Sequence, residues 1–211
     1  MTELVFIIDR SGSMHGLEKD TIGGFNSMME KQKKEAGEAW VTTVLFDTES
    51  RMIHDRLPLG SVNPMTEREY STGGCTSLLD TLGSTIHHIG MIHKYAKPED
   101  RPEKTLFVII TDGLENASRR YSYERVSSMI EKEKNEYGWE FIFLGANIDA
   151  AAEAKRFGID EDRSVRYNCD SAGTALNYEV ISDAVCAVRA CRPLGDTWKK
   201  RIDEDYARRG R

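Results

Sequence analysis

The 211-residue sequence contains no apolar run long enough to cross a bilayer. Its longest, Leu4–Ile8 and Leu106–Ile110, fall far short of the roughly 20 residues that a spanning helix requires. Basic residues are not in excess either: 29 Lys and Arg stand against 35 Asp and Glu, a formal charge of -6. Neither nucleic acid nor an anionic membrane is therefore the expected partner. No basic segment precedes the first apolar run, which follows directly on Met1-Thr2-Glu3, so the start does not read as a signal peptide. Cysteine is scarce, with four residues in no pairing pattern. That excludes a disulfide-built scaffold and, without an export signal, leads to an expected cytoplasmic location with reduced thiols. Prolines number only 5, and no internal repeat or low-complexity tract is visible. What is present is ordinary for a folded chain: 39% hydrophobic and 30% charged residues, in a length that buries roughly 70% of its surface on folding.

Two kinds of apolar pattern alternate along the chain. Leu4–Ile8, Val41–Phe46, Leu106–Ile110 and Phe141–Leu144 are short and nearly solid, as strands buried on both faces of a parallel sheet should be. Between them, apolar residues recur at helical spacing: Leu17, Thr21, Phe25 and Met28; Leu78, Leu82, Ile86 and Ile89; Tyr123, Val126 and Ile130; and Tyr178, Ile181, Val185 and Val188. One segment departs from the alternation. Val41–Phe46 and Met52–Leu57 are separated only by Asp47-Thr48-Glu49-Ser50-Arg51, too little for a crossover helix, so they predict a hairpin with one antiparallel strand at the sheet edge. A last strand is expected at Ser164–Tyr167. The pattern predicts an α/β fold, a three-layer α/β/α sandwich around a mostly parallel six-stranded sheet. Residues 1–198 read as a single domain. Residues 199–211, dense in charges of both signs, read as a helix end or tail.

In open α/β sheets, ligands bind beyond the carboxyl ends of the strands, where the strand order reverses. Asp9-Arg10-Ser11-Gly12-Ser13 follows the first strand, Thr111-Asp112-Gly113 follows the strand at Leu106–Ile110, and Gly73-Gly74-Cys75-Thr76 opens the second helix. In an extended loop, Asp9, Ser11 and Ser13 project the same way, and the glycines permit close approach. Asp9, Ser11, Ser13, Thr76 and Asp112 form an all-oxygen set, which suits a hard divalent cation: Mg2+ or Mn2+ first, Ca2+ less well. Taken singly, these residues have structural readings, Ser13 as a helix cap and Asp112 as a turn cap. Five of them at three loop positions favour the metal.

The same residues resemble a known family. Asp-x-Ser-x-Ser after the first strand, a Thr after a Gly-Gly loop, and the Asp of Ile-Thr-Asp-Gly after a central strand are similar to the metal-ion-dependent adhesion site of von Willebrand factor A domains. The likeness extends from about Thr2 to Arg192. It implies a Rossmann-like fold and a non-enzymatic module whose cation accepts an Asp or Glu from a partner protein. By that resemblance Ser11, Ser13 and Thr76 contact the metal directly, and Asp9 and Asp112 act partly through water. Neutral hydroxyls around the ion leave its charge available to the partner's carboxylate. Lacking an export signal, the sequence looks more like the stand-alone intracellular bacterial members than the secreted adhesion modules. Cys75, next to Thr76, is expected to be a small, partly buried residue rather than a redox centre.

Other signals fail. No glycine-rich dinucleotide or P-loop motif is present, and Gly23-Gly24 reads as a packing feature of the first helix. His88 and His93 lie about 140° apart in helical projection, and Cys186 and Cys191 lack a second pair, so a zinc site is not expected. Glu115 and Asn116 suit either a supporting role beside the site or a solvated turn. The alternative function is a metal-dependent phosphohydrolase with Asp9 as nucleophile. Such enzymes need a second carboxylate two residues later, where this sequence has Ser11.

Overall fold

The computed structural model describes residues 1–209. Six strands form one sheet: β1 (Thr2–Asp9), β2 (Ala39–Phe46), β3 (Ser50–Pro58), β4 (Lys104–Thr111), β5 (Glu140–Ala146) and β6 (Ser164–Tyr167). Their order is β3-β2-β1-β4-β5-β6. β3 runs antiparallel to β2, and the other neighbours pair in parallel. This is the expected α/β sandwich with its antiparallel edge strand. The hairpin turn is shorter than the sequence indicated, since β3 begins already at Ser50.

Side-chain alternation along the strands assigns the helices to layers. Leu4, Phe6 and Ile8 of β1 join Leu106, Val108 and Ile110 of β4 in a core covered by α1 (Glu18–Lys34), α5 (Ser171–Arg189) and α6 (Lys200–Arg209). Val5, Ile7, Phe107 and Ile109 face the opposite way, against α2 (Leu78–Tyr95), α3 (Tyr123–Tyr137) and α4 (Ala150–Arg156). Both cores are built of aliphatic and aromatic side chains, which is why the strand runs carry no polar alternation. Between α1 and α5 the chain approaches closely at Gly24, where a Cβ would lie 2.3 Å from Cδ2 of Tyr178.

The segment expected as a helix end or tail is helix α6 as far as Arg209. It buries Ile202 against the sheet and Asp205 under Arg209. Residues 210 and 211, also part of that expectation, lie outside the described residues. Among the described residues no helix is long and apolar enough to cross a membrane.

The chain leaves β1 towards β2 on one side and returns through α2 to β4 on the other. The carboxyl ends of β1 and β4 therefore flank the point where the strand order reverses. The polar loops converge there.

Candidate metal centre

Asp9 is the last residue of β1 and is fully buried. One carboxylate oxygen accepts the Ser11 N–H at 2.7 Å, and the other accepts the Thr111 hydroxyl at 2.6 Å. Its carbonyl accepts the hydroxyl of buried Tyr70 at 2.7 Å. After Asp9 the chain enters a single 3-10 turn, Gly12–Met14, and α1 starts only behind Leu17. Ser13 is thus not the cap of α1. Its hydroxyl lies 3.1 Å from that of Ser11 and donates to Asp112 Oδ1 at 2.6 Å, joining the β1 loop to the β4 loop. Asp112 does not cap a turn towards α3 either, since that helix is capped by Ser122. Its second oxygen receives the Cys169 thiol at 3.7 Å.

The third loop reaches the site through backbone contacts. Gly12 N–H donates to Gly74 O at 3.2 Å, and Gly73 N–H donates to Arg10 O at 2.9 Å. Gly74 adopts φ +72, and a side chain there would strike Thr48. Thr76 is buried and held at both ends by Asn116. Its N–H donates to the Asn116 side chain at 2.9 Å, and its carbonyl accepts the Asn116 N–H at 3.0 Å. A Cβ placed on Gly113 would lie 3.4 Å from Thr76 Oγ1 and 3.7 Å from Ser13 Oγ, so the two hydroxyls face the same small space. All five sequence-predicted residues are brought to one crevice.

Electrostatics distinguish the crevice from a closed hydrogen-bond network. Burial raises the carboxyl groups of both Asp9 and Asp112 above their ordinary range, and the charge of Asp112 adds to the effect on Asp9. The adjacent cation, Arg10, is turned to Asp47 at 2.9 Å. Two buried carboxylates thus share a space with three hydroxyls and no basic side chain. That donor set fits a hard divalent cation. Among the described residues no group of three or more His, Cys, Asp and Glu side chains that could hold a metal ion gathers, in this crevice or outside it, so the set here depends on its hydroxyls.

Several supporting residues were not recognised in the sequence. Thr111 and Tyr70 fix Asp9, and Cys169 packs on Asp112, its thiol pushed up to about 12 by burial and the neighbouring carboxylate. The signal for Tyr70 was a lone aromatic residue in the polar loop Glu-Arg-Glu-Tyr-Ser-Thr. Cys169, far away in sequence, gave none. Glu115 resolves as a support: its carboxylate accepts the N–H groups of Leu79, Ala117 and Ser118, tying the β4 loop to the start of α2. Cys75 is exposed rather than partly buried, and its N–H donates to the Thr48 hydroxyl at 2.9 Å. The histidines are dispersed: His88 meets Asp55 at 2.8 Å, His93 meets Glu3 at 3.4 Å, and His87 is exposed.

No protein-family model and no curated protein matches the sequence. Solved structures do match in fold. The von Willebrand factor domain of the type V pili tip protein Mfa5 from Porphyromonas gingivalis superposes with a TM-score of 0.62 at 13% identity, covering 92% of this chain and 97% of that one. Proximal thread matrix protein 1 from the mussel byssus, described with a zinc-occupied MIDAS motif, gives 0.59 at 16% identity over 88% of this chain and 46% of its own. A von Willebrand factor type A protein from Catenulispora acidiphila gives 0.58 at 16% identity, over 88% and 43%. The chain thus spans less than half the length of the latter two. At these identities the likeness establishes the fold, which is that of von Willebrand factor A domains.

Proposed function

We propose that the chain is a non-enzymatic, metal-dependent protein-binding module. The observation that carries this reading is the Ser11–Ser13–Asp112 hydroxyl and carboxylate chain, which spans the β1/β4 crevice with Thr76 beside it and no basic group to neutralise it. Ser11, Ser13 and Thr76 would hold a divalent cation, Mg2+ or Mn2+ before Ca2+, with Asp9 and Asp112 behind them. When bound, the cation supplies a Lewis-acidic attractor for an Asp or Glu side chain of a partner. The zinc-occupied motif of the mussel neighbour supports a divalent ion without selecting which.

The chain's own residues prepare the site. Thr111 and the Ser11 N–H orient Asp9, Asn116 fixes Thr76, and Ser13 is exposed at the mouth, where a partner would enter. Exposed Leu114, adjoining Gly113, adds an apolar contact at the rim. Against the phosphohydrolase reading, both Asp9 oxygens are already engaged, and the residue two positions on is Ser11, which cannot serve as a carboxyl acid or base.

Isothermal titration with Mg2+ and Mn2+ tests the site. Wild type should bind one ion per chain, and Asp9→Ala should bind at least about tenfold more weakly, as loss of a carboxylate behind the direct ligands implies. Equal binding by both proteins removes the proposal. Magnesium-dependent turnover of a generic phosphomonoester, abolished in Asp9→Asn, would replace it with the hydrolase.

A further inference from the structure

A cavity of about 470 Å3 opens between α2 and α3, remote from the aspartates. It is framed by α2 from Ile86 to Lys94, by α3 from Arg125 to Tyr137, and by the segments that enter β4 and β5. Its apolar lining includes Ile86, Met91, Met129 and Trp139. Around it stand Lys94, Arg101, Arg125 and Lys132, with Glu133 as the one acidic lining residue.

Some basic residues of this chain are neutralised by carboxylates, as Lys31 is by Asp183, Arg56 by Glu3, Lys134 by Asp160 and Arg201 by Glu179. None of the four at the cavity has a carboxylate partner among the described residues. Three instead lie over rings: Arg125 over Tyr121 at 4.7 Å, Lys132 over Tyr137 at 6.0 Å and Lys94 over Tyr95 at 5.5 Å. Arg101 donates to the carbonyls of Ala96 and Lys94. These contacts hold the side chains without cancelling their charge. In a protein of net charge -6, a cationic rim around an apolar floor is a local inversion of the molecule's field.

We propose that this groove docks an acidic segment of another protein that carries large apolar anchors, a second binding face independent of the metal centre. Complementarity supplies the argument. Carboxylates along the segment meet the four cations, and one or two aliphatic or aromatic side chains fill a volume suited to them. The flexible Met91 and Met129 side chains adapt to the anchor. Nucleic acid is the poorer occupant, because Trp139 is buried and stacked on Phe107 at 5.2 Å, leaving its face unavailable to a base.

Methionine-methyl NMR in chelator tests the groove, using a short Glu- and Asp-rich peptide with Leu and Phe at helical spacing. The peptide should shift the Met91 and Met129 signals. Its affinity should fall at least about tenfold in an Arg125→Glu, Lys132→Glu double variant, whose unchanged circular dichroism reports an intact fold. Arg125→Gln with Lys132→Gln should give a smaller loss in the same direction. No shift at millimolar peptide overturns the proposal, as does an affinity indifferent to both double variants. Shifts caused by an oligothymidylate and not by the peptide would reassign the groove to nucleic acid.

Discussion

At the scale of single residues, the crevice is a place where the fold accepts an unfavourable charge. Asp9 and Asp112 are buried, mutually repulsive and without a cationic side chain between them, and each carboxyl is raised above its ordinary 3.8. An acid whose folded-state value is raised binds its proton more tightly in the folded chain. The contribution of these two carboxyls to the stability of the metal-free protein is therefore full below their ordinary value and is lost as pH rises through the raised values. Asp112→Asn removes one charge while keeping an oxygen to accept the Ser13 hydroxyl. Its metal-free melting temperature at neutral pH should exceed that of wild type by a few degrees, about 1 kcal/mol for a domain of this size. The advantage should shrink as pH is lowered, and addition of Mg2+ should reverse the order. A metal-free Asp112→Asn protein that melts at or below wild type across the whole pH range refutes the charge argument.

At the scale of elements, the glycine pair of α1 gives two substitutions of opposite sign. An Ala in a helix interior is favoured over Gly by about 1 kcal/mol. Nothing lies within 4 Å of a Cβ on Gly23, so Gly23→Ala should gain most of that. On Gly24 the same methyl would lie 2.3 Å from Cδ2, 2.7 Å from Cγ and 3.1 Å from Cβ of Tyr178, a ring locked in the core. Overpacking of this kind costs about 1–3 kcal/mol or more, so the clash outweighs the propensity and Gly24→Ala should destabilise. Urea denaturation distinguishes them, and a shift of both midpoints in one direction would contradict the α1–α5 packing. The sequence carried a general packing role for the pair but could not say which glycine faced Tyr178, because helical phase fixes a face and not the neighbour on it. Strands were legible for a simpler reason: burial on both faces removes polar alternation from Leu4–Ile8 and Leu106–Ile110 alike. Helix α6 was harder to read, since only Ile202 is apolar and buried in a stretch dominated by Lys, Arg, Asp and Glu. Its place is supported by Arg209 on Asp170, a pair without a periodic signature, while Asp205 and Arg209 at i,i+4 support the helix itself.

At the scale of the whole molecule, the topology explains why five separated residues were readable as one set while their supports were not. Strand reversal beside β1 dictates that whatever follows β1 and β4 meets, so Asp9 and Asp112 were placed by connectivity alone. Tyr70 and Cys169 arrive from loops whose paths depend on packing, and spacing in sequence does not encode that, whereas Asn116, four residues after Asp112, was left between a support and a solvated turn. The three loops depend on one another, with Gly12 and Gly73 bonding across two of them and Asn116 and Ala117 holding the third through Thr76. A ligand that bridges them should therefore stabilise the entire fold. Binding to the native state alone contributes about 2.7 kcal/mol at a concentration one hundred times its dissociation constant. For a chain of this length that corresponds to a rise in melting temperature of roughly 5–10 °C. Saturating Mg2+ or Mn2+ should produce such a rise, chelator should reverse it, and Ser11→Ala should lose most of it. If the cavity between α2 and α3 is a separate face, the Arg125→Glu, Lys132→Glu variant should retain the full metal-induced rise. A melting temperature unmoved by either ion at any concentration would mean that the loops are held by their own hydrogen bonds, and that the crevice is not a metal centre.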